Sequence, residues 1–200
     1  MKSLASLVAL VAATLSAHAA DSAVTFQNNV FSPPRLVTFD ASFGSTLSGT
    51  RLRNGVNGNA SYVAQLFIVG TGGIEAPVGA RANFRAEVVV SGGTWSGGNR
   101  TLVGVEPGTP VNLVVKVWDA AFPSYDAAVS AFWSNPAANR SGFGQSAVFS
   151  YTQANPVLLP TDTYMTGFSG FSITLPAVPE PSSITLVALG LGGLLWLLRR

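Results

Sequence analysis

Three observations predict a mainly β fold, an antiparallel β-sandwich of jelly-roll or immunoglobulin-like type set between an N-terminal signal peptide and one C-terminal transmembrane helix. Short runs of β-branched and aromatic residues recur along the middle of the 200-residue chain. Between them stand Asn54-Gly55, Asn57-Gly58, Gly72-Gly73, Gly92-Gly93, Gly97-Gly98 and Pro107-Gly108, pairs that supply the positive or fixed φ a turn needs. Only one stretch of the middle has helical character. Many short strands so punctuated pack in layers around a single core. The resulting division is a signal peptide at 1–19, a β domain at 20–175, a Pro-rich stalk at 176–183 and a spanning helix with its basic end at 184–200.

The first segment carries Met1-Lys2 as its positive end, an apolar stretch from Leu4 to Leu15, and Ala17-His18-Ala19 as the small-x-small pattern that a signal peptidase reads. Cleavage after Ala19 is expected, so the mature chain begins at Ala20. The competing reading is an N-terminal anchor, which the short apolar stretch and the missing stop-transfer charge disfavour.

Strands are expected at Val24–Phe26, Leu36–Phe39, Tyr62–Val69, Phe84–Val90, Leu102–Val105, Val111–Trp118, Ala147–Tyr151 and Phe168–Leu175. The clearest is the sixth. Val111, Leu113, Val115 and Val117 share one face at period two and should meet the core, with Asn112, Val114, Lys116 and Trp118 on the other. Gly70-Thr71-Gly72-Gly73 reads as a hairpin turn, because it lacks both the glycine spacing and the following helix of a phosphate loop. After Pro123, the run Tyr125–Phe132 fits two helical turns with Ser124 as N-cap and Asp126 near the positive helix end, or else an irregular crossover.

At the C-terminus, Pro179 and Pro181 fix φ and hold the chain extended, so a helix starts only after them. Ile184 to Leu198 contains no charge and is apolar on every side, unlike a helix docked on a small domain. From Ser182 onward it would be roughly 28 Å long, enough to cross a hydrocarbon layer of ~30 Å. Arg199 and Arg200 then serve as a positive-inside stop. A Pro-Glu-Pro elbow, an uncharged helix and a closing arginine pair together resemble the PEP-CTERM sorting signal of Gram-negative exported proteins. The resemblance covers the tail alone and implies that an exosortase, a membrane-embedded cysteine transpeptidase, recognises Pro179, Glu180 and Pro181. It also implies a host that makes exopolysaccharide.

Charge and composition narrow what the domain does. Lys2, Arg199 and Arg200 lie in the terminal segments, which leaves eight basic residues against nine acidic ones. A nearly neutral domain has no phosphate-neutralising patch, so no nucleic-acid partner is expected. There is no cysteine, and the one histidine, His18, lies in the signal peptide. Histidine- and cysteine-based catalysis, disulfides and the usual zinc sites are therefore excluded from the mature domain. No Asp-x-Asp-x-Asp-Gly calcium loop occurs, and no cofactor is expected.

Two functions from different classes fit. The first is a non-catalytic structural, adhesive or exopolysaccharide-associated surface protein held in the lipid bilayer. Its candidate sugar-stacking residues are Trp95 between two glycine pairs, Trp118 on the non-core strand face, and Trp133 before Asn135-Pro136. The second is a secreted polysaccharide hydrolase using two of Glu75, Glu87, Glu106, Asp119, Asp126 and Asp162, which would have to face each other across one cleft.

Overall fold

The computed structural model describes residues 21–55, 60–85, 91–136, 138–154 and 163–176. The signal peptide with Ala17 and Ala19, the Pro179-Glu180-Pro181 motif, the expected spanning segment with Arg199 and Arg200, and the acids Glu87 and Asp162 lie outside these residues. Among the described residues no helix is long and apolar enough to cross a membrane.

The chain is mainly β. Its strands are β1 (Ser22–Gln27), β2 (Val37–Phe39), β3 (Tyr62–Val69), β4 (Glu75–Asn83), β5 (Ser96–Leu102), β6 (Val111–Asp119), β7 (Gly144–Gln145), β8 (Phe149–Tyr151) and β9 (Phe171–Ile173), with one helix, α1 (Tyr125–Ser134), after β6. A five-stranded antiparallel sheet runs β4-β3-β6, and the far edge of β6 is divided between β7 and β8. β1 pairs antiparallel with β5. β2 and β9 pair parallel, a departure from the all-antiparallel expectation. They are far apart in the chain, so no hairpin dictates their direction.

All three sheets feed one core. Val24 and Phe26 of β1, Val37 and Phe39 of β2, Leu66 of β3, Leu102 of β5, Tyr151 of β8 and Ile173 of β9 meet there. Leu113, Val115 and Val117 of β6 enter it as their period predicts, with Val111 packed at its margin. The opposite face of β6 is closed as well: Val114, Lys116 and Trp118 are all buried. There α1 lies over the sheet, and Val63, Trp118 and Ala128 form a second cluster walled by Phe67, Tyr125 and Phe143. The helix begins as its sequence requires. Ser124 is extended and accepts a hydrogen bond from the Ala127 N–H, and Asp126 occupies the first turn.

One expected strand shifts. Gly97-Gly98 is not a turn before a strand at Leu102–Val105 but lies inside β5, where Phe26 of β1 faces both glycines across a bulge. A Cβ on Gly97 would come within 2.6 Å of the Phe26 ring, so glycine is required there by packing. The strand expected at Phe84–Val90 is described only at Phe84 and Arg85, where Phe84 makes an isolated bridge to Trp95. The rest of that expected strand, 86–90, lies outside the described residues. Before it runs β4, an edge strand that accommodates Pro77.

The loop after β1 is pinned by a buried amide. Asn28 is fully buried; its side-chain N–H groups donate to the Arg35 and Gly93 carbonyls at 2.7 and 2.8 Å, and its oxygen accepts from the Trp95 N–H at 2.9 Å. One side chain thereby holds three separate segments in register. Replacing Asn28 by Ala strands the Arg35 carbonyl and the Trp95 N–H, while the Gly93 carbonyl keeps its bond from the Val37 N–H. The Asn28→Ala variant should lose about 3 kcal/mol of unfolding free energy, at 1–3 kcal/mol per orphaned buried group. Urea unfolding measures this, and a loss below about 1 kcal/mol would show that the amide is not the pin.

Candidate functional site

On its outer face the five-stranded sheet meets α1 at Val63 and Trp118. Where the helix begins, Gln65 and Phe67 of β3, Gly73 of the hairpin turn, Glu75 and Pro77 of β4, Lys116 of β6, and Ser124, Tyr125 and Asp126 surround a cavity of about 420 Å³. The register explains the convergence. Gln65 stands opposite Lys116, and Phe67 stands opposite Pro77, so alternate residues of three adjacent strands share this face. The Gly70–Gly73 hairpin, formed as expected with the Gly70 N–H bonded to the Ile74 carbonyl at 2.8 Å, brings Glu75 back beside the end of β3.

Lys116 is the electrostatic centre. It is 8% exposed, and a buried ammonium is stable only when paired. It forms an ion pair with Glu75. Its Nζ also sits 5.1 Å from the Phe67 ring centroid and 4.6 Å from that of Tyr125, close enough for both ring faces to attract it. Burial, reinforced by the negative charges of Asp126 and Glu75, pushes the Tyr125 phenol up to about 12.

Of the candidate acids, Glu75 and Asp126 line this same cavity. Asp119 is occupied structurally, its oxygens accepting from the Ala121 N–H and the Ser141 hydroxyl. Glu106 is exposed in the loop before β6. Among the described residues no group of three or more acids or histidines is placed to hold a metal ion.

The tryptophans are corrected in part. Trp95 is fully buried, against the expectation from its flanking glycines. It packs among Phe26, Phe84 and Phe168 at ring distances of 5.3, 5.5 and 5.7 Å, because Gly92 and Gly93 let the chain run close to Arg51 and Val37. Trp118 is fully buried beneath α1 and donates its indole N–H to the Phe122 carbonyl at 3.2 Å. Neither offers a face to a sugar. Trp133 is 52% exposed near the end of α1, braced edge-on by Phe132.

A second depression of about 500 Å³ lies between the Phe31–Leu36 and Thr166–Gly170 loops. Arg35 ties these loops together, donating to the carbonyls of Met165, Thr166 and Phe168 while stacking over Phe31 at 3.8 Å. Its Nη1 is thus committed to the fold.

Residues 177–200 match the family model described as the PEP-CTERM protein-sorting motif. No curated protein and no solved structure matches the chain. The motif takes in Pro179, Glu180 and Pro181 together with the closing arginines, and it suggests an exported, envelope-associated protein that an exosortase processes.

The raised Tyr125 phenol carries a pH signature. Its folded value of about 12 exceeds the ordinary value of 10.0, so the native state binds the proton more tightly than the unfolded chain does. Its contribution to stability is complete below pH ~10 and is lost as pH rises toward ~12. Unfolding free energy should therefore fall more steeply over that window in the wild type than in Tyr125→Phe. Parallel slopes in urea titrations of the two proteins would contradict the assignment.

Proposed function

We propose that this chain is an exported, single-pass envelope protein whose PEP-CTERM tail is recognised and processed by an exosortase. Its β domain would then be displayed outside the membrane as a structural or adhesive module associated with exopolysaccharide. The observation that carries the reading is the match over residues 177–200. The order of the segments supports it, since the uncharged run Ile184–Leu198 is followed at once by Arg199-Arg200, and the N-terminus has the three parts of a secretion signal. The three sheets sharing one core suit a β-sandwich of jelly-roll or immunoglobulin-like form. That is a compact, disulfide-free body to hold on a Pro-rich stalk. Trp133 is the tryptophan that remains available for stacking on a sugar ring.

A second reading, a carboxylate-dependent polysaccharide hydrolase, is favoured by one observation: Glu75 and Asp126 line a common cavity. Against it, Glu75 is already engaged in an ion pair with the buried Lys116, a structural role as that ammonium's counter-charge. In the non-catalytic reading these groups bind and orient.

The intact mass of the envelope-associated protein, measured in cells with and without the exosortase, tests the first reading. A species beginning at Ala20 and ending near Pro179–Pro181 only when the enzyme is present is the expected result. A species ending at Arg200 in both strains would make the tail an ordinary anchor.

A further inference from the structure

The geometry points to the cavity framed by Gln65, Phe67, Glu75, Lys116, Tyr125 and Asp126 as a binding subsite for an uncharged sugar unit, in preference to a uronate or other anionic one. This rests on the polysaccharide-associated reading and deepens it by naming the residues and the ligand class. The volume of about 420 Å³ lies within the range of small-ligand sites.

The lining has the mixed character that a pyranose requires. Sugar hydroxyls are both donors and acceptors, while the ring presents an apolar C–H face. Asp126 is exposed at the mouth and is a strong acceptor; Glu75 accepts from the opposite wall. The Gln65 amide N–H is committed to the Gly79 carbonyl at 2.9 Å, which orients its side-chain oxygen as a further acceptor. The Tyr125 hydroxyl, protonated as any phenol is at neutral pH, is a donor. Phe67 and Pro77 supply apolar surface on the floor. A site assembled from strand residues and the first turn of a capped helix is rigid before the ligand arrives, so little ordering entropy opposes binding.

The charge balance sets the ligand class. Two carboxylates against one ammonium leave the cavity net negative, and Lys116 is already neutralised by Glu75 and held between two rings. A carboxylated sugar would bring a third negative charge into a site whose one lysine among the described lining residues is already paired. A neutral ring meets acceptors it can satisfy.

Full-length protein in detergent micelles, titrated by calorimetry with a neutral glucan oligosaccharide, a mannan oligosaccharide and oligogalacturonate, tests the inference. The wild type should bind a neutral probe and bind oligogalacturonate at least ten-fold more weakly. Asp126→Asn and Gln65→Ala should each weaken neutral-sugar binding by ten-fold or more with thermal midpoints near that of the wild type, whereas Trp133→Ala should change it by less than two-fold. Full binding by both cavity variants, or loss in Trp133→Ala alone, would overturn the subsite and leave polysaccharide association standing. A preference for oligogalacturonate would overturn the ligand class. If the wild type binds none of the three, both the subsite and the polysaccharide reading fall.

Discussion

Burial of β6 on both faces is the constraint from which most of the structure follows. One face, Leu113, Val115 and Val117, closes the main core, and the other, Val114, Lys116 and Trp118, is buried too, with Trp118 packed beneath α1. A strand of an antiparallel sheet commonly leaves one face to water. Here the crossover that follows β6 turns back as a helix over the strand it has just left. Burying Trp118 alone contributes a few kcal/mol at roughly 25 cal/mol per Å² of apolar area. The strand is thus anchored from both sides, and β3, β7 and β8 take their positions from its edges.

That arrangement puts a lysine where a lysine is costly. Lys116 falls on the helix-covered face, and its ammonium is accommodated only because the β3–β4 hairpin returns Glu75 to it while Phe67 and Tyr125 present their rings. The result is a preorganised polar cavity whose walls are also structural parts of the fold. Chemistry and stability share the same groups, as the raised phenol of Tyr125 illustrates.

Features governed by neighbours in the chain were legible in the sequence. The period-two pattern of Val111–Val117, the Ser124 cap with Asp126 behind it, and the Gly70–Gly73 turn all depend on local geometry, and each is found where it was read. The sorting tail was legible for the same reason, being a linear motif. The errors fall where a distant partner decides. Gly97-Gly98 has turn composition, yet the Phe26 ring beside it makes a bulge inside a strand. The glycines around Trp95 suggest an exposed loop, whereas they allow the backbone to approach closely enough to bury the indole. Apart from Val78, β4 is built of Ala, Gly, Pro, Arg, Glu and Asn, which carry little strand propensity, and it is held by pairing with β3. Glu75 and Asp126 were both visible as acids, but their convergence is a product of the hairpin and the crossover together. Lys116 could be assigned to its strand face and not to its site, because nothing local marks a lysine that will be enclosed.

The most direct test of this account is native-state hydrogen exchange along β6. If both faces are closed, the amides of Leu113 to Trp118 should exchange only through global unfolding and be the slowest in the protein, with those of the short β2 and β9 pair opening earlier. Exchange of the β6 amides at the rate of β2 and β9 would contradict the double burial, and with it the placement of α1 and the cavity that depends on it.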